Sequence, residues 1–218
     1  MNKPLLSILI PSAGHERHCQ WNNLLGSIFR QSDLKRDVGI SIKKGAYWMN
    51  YWQSFSEIEV ISCFDNKEMT IGEKREILYK EANGLYSWQI DDDDAISPDS
   101  INIILNAIKE NPDADCITFR ENCMINGKYY SSNHSLKYDD WGENQDGFDY
   151  VRTPFYKDVI KTDIAKSVPF EHIRYGEDHA WARALKPHLK NEIHIDQELY
   201  FYIHNSKPED HNERYGIV

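Results

Sequence analysis

The sequence predicts an α/β protein with a mostly parallel central sheet and flanking helices. Two observations carry this. Over residues 1–120, short apolar strand-like runs alternate with amphipathic helical stretches, and that order joins parallel strands through crossover helices. The helical stretches also open and close on recognisable capping residues.

Taken in order, Leu5–Pro11 reads as a buried first strand. The next stretch places Trp21, Leu24, Leu25, Ile28 and Phe29 on one helical face. Glu57–Phe64, "EIEVISCF", is a β-branched second strand. "IGEKREILYKEANG" follows as a helix that stops at Asn83-Gly84. "LYSWQI" is a third strand. Ser97-Pro98-Asp99 then opens a helix, with Ser97 as N-cap and Ile101, Ile104, Leu105 and Ile108 facing inward. "ADCITF" is a fourth strand, and "ENCMINGKYY" turns at Asn126-Gly127 as a hairpin. From Tyr130 to Phe155 the pattern dissolves into a polar, aromatic stretch that reads as a long binding loop. A helix near Gly176–Leu185 and a strand at "ELYFYIH" end the regular pattern, and residues 34–56 fit neither template.

The chain has 218 residues, 40% of them hydrophobic, which suits one domain over 1–218. No apolar run approaches the ~18 residues of a membrane span. "LLSILI" is too short for a signal peptide and ends at Pro11 without a cleavage site. The four cysteines form no CxxC pair, so a reducing, cytoplasmic setting is expected. Residues 1–90 carry a formal charge of +1 and residues 91–218 carry −11. That balance argues against a protein that grips nucleic acid by its phosphates alone, and the acidic half suits a divalent cation.

The run Asp91-Asp92-Asp93-Asp94 closes the third strand. A solvated loop is the plain reading of a charge run. Its position argues for more: ligands of open α/β sheets collect at the carboxyl ends of strands, a capped helix follows directly, and a bound cation relieves the repulsion among adjacent carboxylates. Counted from Asp91, the calcium-loop positions for Gly and Glu hold Ile96 and Asn102, so that site is excluded. Mg²⁺ or Mn²⁺ completed by phosphate oxygens fits better. Asp91 and Asp93 share one side of an extended segment. Gly72, Lys74 and Arg75 at a helix start suit the phosphates. Neither GxGxxG nor GxxxxGK[ST] occurs.

In the order "LSILIPS", "CFDNKEMTIGEKRE", "YSWQIDDDDAISPDSI" and "RYGEDHAWARAL", the chain resembles a family 2 type glycosyltransferase of the GT-A fold. The likeness spans nearly the whole length. It implies a Rossmann-like sheet, a nucleotide-sugar part over 1–120 and a catalytic, acceptor-side part over 121–218. It also implies that Pro11, Ser12 and Asp65 lie near the base or ribose and that Lys74 and Arg75 lie near the diphosphate. Relatives often have Asn where this chain has Glu76. Asp91 and Asp93 match the metal-binding Asp-x-Asp, with Asp93 the direct ligand; on an extended segment Asp92 and Asp94 point the other way, toward a ribose or an acceptor. Glu177 and Asp178 match the late acidic pair, with Asp178 as general base. His204, or alternatively His211, is the candidate metal histidine.

The resemblance therefore implies metal-dependent, inverting transfer of a sugar from a nucleoside diphosphate sugar, UDP by preference, to a glycan hydroxyl. Tyr47, Trp48, Tyr51 and Trp52, and Tyr129, Tyr130, Trp141, Phe148, Phe155 and Tyr156, offer faces for sugar rings or bases. With Lys35, Arg36, Lys43 and Lys44 alongside, a modified base in DNA is the second acceptor expected. A metal-dependent nucleotidyltransferase needs the same paired aspartates and basic site, and a non-catalytic sugar-binding domain is a further alternative. Plainer roles exist for several residues. Asp65 suits a turn, Glu177 and Asp178 suit a helix N-terminus, and His204 suits packing.

Overall fold

The computed structural model describes residues 3–14, 17–32, 39–43, 46–51 and 56–205, with Met49 the described side chain within 39–51. Three parallel strands form the centre: β1 (Leu6–Ser12) lies between β4 (Ile58–Phe64) and β5 (Tyr86–Gln89). Every residue of the three is buried, which explains their nearly continuous apolar sequence.

The two faces of β1 lead to two apolar clusters. Leu6, Ile8 and Ile10 pack with Trp21, Leu24 and Ile28 of α1 (His18–Arg30) and with Ile101, Ile104 and Ile108 of α3 (Ser100–Glu110). Leu9 points the other way. It joins Leu78 and Tyr79 of α2 (Ile71–Glu81), Ala165 of α4 (Thr162–Ser167), and Trp181 and Leu185 of α5 (Glu177–Leu185). Trp181, Tyr79 and Phe170 form a cluster of near-parallel rings, with centroids 5.4 Å apart for Trp181–Tyr79, 4.6 Å for Trp181–Phe170 and 5.9 Å for Tyr79–Phe170.

Antiparallel strands extend the parallel centre on both sides. Strands β2 (Gly39–Lys43) and β3 (Ala46–Tyr51) pair with each other and β3 pairs onto β4, so the described part of the stretch at 34–56 that fitted no template is largely strand. On the other side β11 (Val159–Lys161) bridges β5 to β7 (Cys116–Ile125). β8 (Lys128–His134) pairs with β7, followed outward by β10 (Phe148–Arg152) and β9 (Gly142–Gln145). β12 (Glu192–His204) runs parallel to β7 and holds the short β6 (Ala95–Ile96).

Two expectations change here. The stretch 130–155 is largely strand rather than loop. Its strands are polar because one side is solvated, and the β9–β10 turn uses left-handed residues at Asp146 and Gly147. Helix α3 begins at Ser100 rather than just after Ser97. The Ser97 N–H donates to Leu199 O across the β6–β12 pairing, and Ser97 O accepts from Ser100 N. Ser97 therefore ends a strand and forms a turn.

Candidate active site

A cleft of about 800 Å³ opens where the carboxyl ends of β1 and β5 meet α2, α5 and the β7–β12 extension. Pro11, Ser12, Lys74, Arg75, Asp91, Asp92, Asp93, Glu177, Asp178 and His204 all line it. Ten of the residues singled out in the sequence thus converge, although they span 193 positions. Asp65 stands behind the wall, and His211 lies outside the described residues.

The acidic run is divided among four different tasks. Asp91 accepts from both Arg75 Nη1 at 2.9 Å and Nη2 at 3.2 Å, and from the Tyr156 hydroxyl at 2.9 Å. Burial alone would raise its pKa, but Arg75 holds it below the usual carboxylate range. Asp92 is buried and ties the run to β1, accepting from Ser12 Oγ at 2.5 Å and Arg17 Nη1 at 3.0 Å. Asp94 faces inward. It accepts from Tyr200 Oη at 2.7 Å and from the Ile203 N–H at 3.0 Å, which docks β12 onto the run. Burial pushes Asp94 up to about 7 despite Lys157 nearby. Asp93 alone keeps a carboxylate substantially in the cleft, 35% exposed, with Arg17 at 2.9 Å. Partial burial, with Asp91 and Asp92 close by, raises it to about 6 against the pull of Arg17.

Several sequence assignments acquire other partners. Asp91, expected beside the metal, is saturated by Arg75 and Tyr156. Arg75, expected on phosphate, is buried: its Nε reaches Glu177 at 3.2 Å, its Nη1 reaches Gln89 at 3.1 Å, and Tyr156 stacks on it at 3.5 Å. Lys74 pairs with Asp65 and donates to Ser12 O at 2.6 Å. Asp65 also accepts the Lys67 and Met69 N–H groups, so it closes a turn and anchors Lys74 instead of facing the base. The physical reason is shared: a buried ion needs an opposite charge and hydrogen bonds, and these residues supply them to one another. Gly72 is likewise set by packing. A Cβ there would stand 1.8 Å from Glu171 O, and its N–H donates to Ile173 O, so the chain itself covers the α2 N-terminus.

Gly176, at φ +83°, turns the chain into α5 and presents the two acids of its first turn. Glu177 is buried against Arg75, and burial raises its pKa. Asp178 stays partly open and accepts from Arg152 Nη2 at 2.8 Å. Burial would raise Asp178, but Arg152 more than offsets that and keeps it ionised.

The sequence held no signal for Arg17, Arg152, Lys157, Glu121 or Tyr200. Each comes from an element whose partner is distant in the chain. Beneath the cleft, Lys157 Nζ reaches Glu121 at 2.6 Å, and His134 sits between Glu121 (Nε2, 3.3 Å) and Asp158 (Nδ1, 3.1 Å). Of the aromatic candidates, Phe155 and Tyr156 are buried. Trp141 is 46% exposed and stacks on Tyr150 at 6.1 Å on the cleft wall. Tyr129 bonds Glu198. His204 lines the cleft stacked on Tyr202. Lys35, Arg36, Lys44 and Trp52 lie outside the described residues, as do the side chains of Lys43, Tyr47, Trp48 and Tyr51. Among the described residues, no three His, Cys, Asp or Glu side chains form a metal-holding group, and no helix is long and apolar enough to cross a membrane.

No protein-family model matches the chain, and no curated protein matches it. Solved structures do. TarS from S. aureus, residues 1–349, superposes with a TM-score of 0.61 at 16% identity, over 95% of this chain and 62% of that one. The same protein in complex with UDP gives 0.60 at 14% identity, over 95% and 62%. Its complex with UDP-GlcNAc gives 0.60 at 14% identity, over 93% and 58%. The chain thus spans about three fifths of the length of these structures. The likeness shows the fold, the GT-A-type α/β arrangement that the sequence implied.

Proposed function

We propose that this chain is a glycosyltransferase that moves a sugar from a nucleoside diphosphate sugar, UDP-linked, to a glycan hydroxyl. One observation carries the reading. A single cleft at the strand carboxyl ends holds one accessible acid of the aspartate run, Asp93, and one arginine-paired acid, Asp178, in a fold shared with a protein whose structures include UDP and UDP-GlcNAc complexes.

In this reading Asp93 is the carboxylate available to Mn²⁺ or Mg²⁺. A cation completed by the donor's phosphate oxygens suits a site with one accessible acid rather than three converging ligands. When bound, the metal supplies Lewis-acid neutralisation of the departing diphosphate. The remaining acids hold the frame: Asp91, Asp92 and Asp94 tie the run to α2, β1 and β12 respectively. The acceptor oxygen attacks the anomeric carbon while the bond from that carbon to the diphosphate oxygen breaks. The acceptor proton passes to Asp178, and the anomeric centre inverts. Arg152 keeps Asp178 ionised and aimed into the cleft, as a base must be before the step. Trp141 and Tyr150 give the acceptor end an aromatic wall.

A thermal-shift titration tests the reading. UDP with Mn²⁺ is expected to stabilise the protein, by about 2.7 kcal/mol at a hundredfold excess over Kd. Asp93→Ala should lose the metal-dependent part. An unchanged Tm with UDP and with a panel of nucleotide sugars would refute it, and release of pyrophosphate during turnover would instead identify a nucleotidyltransferase.

A further inference from the structure

The cations of the cleft differ in how fully they are committed. Arg75 is buried and engages Asp91, Glu177 and Gln89 through all three of its nitrogens. Lys74 and Lys157 are buried on carboxylates, and Arg152 is held by Asp178 and the Phe155 ring. Arg17 and Arg174 are the exceptions: Arg174 gives Nη2 to Lys67 O at 3.1 Å, and of the two, among the described residues, Arg17 is the one that touches the aspartate run. Its side chain is 40% exposed at the cleft wall, just ahead of α1. A single nitrogen, Nη1, makes both of its contacts, to Asp92 Oδ1 at 3.0 Å and Asp93 Oδ2 at 2.9 Å. Nε and Nη2 have no partner among the described residues.

We propose that Arg17 is a place-holding cation for the aspartate run that changes partner when the donor binds. It neutralises Asp93 in the ligand-free protein, yields that carboxylate to the arriving divalent cation, and turns its unused guanidinium edge to the diphosphate. This rests on the nucleotide-sugar reading above.

Three features support the exchange. First, two positive charges cannot share one Asp93 oxygen without repulsion, so a metal there displaces the guanidinium or binds weakly. Second, the displaced side chain stays anchored. Asp92 is buried and fixed by Ser12 Oγ at 2.5 Å, so Arg17 keeps one contact and pivots about it. Third, the free edge is a planar fork of donors, suited to two phosphate oxygens at once. Breaking a half-exposed ion pair costs little, so the switch is reversible. Its consequence is coupling: metal alone meets a competitor, whereas metal with diphosphate meets a helper. By reciprocity each ligand then strengthens the other.

Calorimetry on the full chain tests this with Mn²⁺ alone, UDP alone and the two together, in wild type, Arg17→Gln and Arg17→Lys. With Mn²⁺ alone, Arg17→Gln is expected to bind about 2- to 5-fold more tightly, since one partly exposed ion pair no longer competes. With UDP present its Mn²⁺ affinity is expected to drop below wild type, so the mutual enhancement shrinks by roughly tenfold, as for loss of one charge-assisted contact. Arg17→Lys keeps the charge but not the fork. It is expected to match wild type with Mn²⁺ alone and to lose the enhancement. Arg17→Lys keeps a cation beside buried Asp92 and should melt as wild type does, whereas Arg17→Gln leaves Asp92 to Ser12 alone and should melt somewhat lower but still cooperatively, so affinities are compared below both midpoints. If wild type binds both ligands and Arg17→Gln shows the same affinities and enhancement, this inference fails while the donor reading stands. If wild type binds neither ligand, both fail together.

Discussion

His134 offers a quantitative test of the charge network that supports the cleft floor. Both imidazole nitrogens face carboxylate oxygens, Nδ1 toward Asp158 and Nε2 toward Glu121. With both carboxylates ionised, both nitrogens carry protons and the ring is an imidazolium, although burial raises Asp158 and works against its ionisation. Burial alone would lower its pKa, but Asp158 and Glu121 raise it from 6.5 to about 9. Its partner Glu121 is held down at about 2, against burial, by Lys157 and His134. The sign follows from linkage. A group whose folded pKa is raised stabilises the protein fully below its unfolded pKa, and that contribution is lost as pH rises through the folded value. For His134 the window runs from pH 6.5 to about 9. At about 1.4 kcal/mol per pH unit the whole contribution is on the order of 3 kcal/mol, and about 2 kcal/mol of it disappears between pH 7 and pH 9. The assay is urea unfolding across that window, in wild type and His134→Gln. Wild type should lose stability on going from pH 7 to 9, while the variant, less stable throughout, should show a much flatter profile. Asp93 and Asp94 titrate near 6 and 7, whereas burial pushes the Cys63, Cys116 and Cys123 thiols up, so they add their own loss as unfolded thiols ionise above about pH 8.5; both proteins share these contributions, and the difference between their profiles isolates His134. Equal slopes in the two proteins, or a flat wild-type profile, would refute the doubly paired imidazolium.

Two further outcomes follow from the site. Asp178→Asn should keep UDP affinity, measured by calorimetry, while transfer falls by ~10²–10⁴-fold, the usual range for losing a general base; a near-normal rate would move the base elsewhere. Gly72→Ala pushes a methyl against Glu171 O, where the ideal Cβ would sit at 1.8 Å. It should lower the urea midpoint by an amount equivalent to roughly 1–3 kcal/mol, and an unchanged midpoint would contradict the packing assigned to the α2 N-terminus.

The parallel centre of the sheet and most of its helices are legible in the chain's residue pattern. β1, β4 and β5 are buried on both faces, so their apolar runs are unbroken, and α1 and α3 carry clear 3.6-residue stripes. These are local signals. The pattern also marked ten residues of the cleft wall, because the carboxyl ends of parallel strands and the acidic pair opening α5 leave recognisable residues at those junctions. The hairpin at Asn126-Gly127 that opens β8 was legible, but the rest of β8 and the strands β9 and β10 escaped it, since a strand solvated on one side and short of apolar residues reads as loop. What each charge does is set by contacts that exist only in the folded chain. Four adjacent aspartates look alike in the chain, yet Asp91 meets Arg75, Asp92 meets Ser12, Asp94 meets Tyr200, and Asp93 remains with Arg17 at the cleft. A buried ion is defined by its partner, and each of these partners arrives from a distant part of the chain, from 16 residues away for Arg75 on Asp91 to 106 for Tyr200 on Asp94.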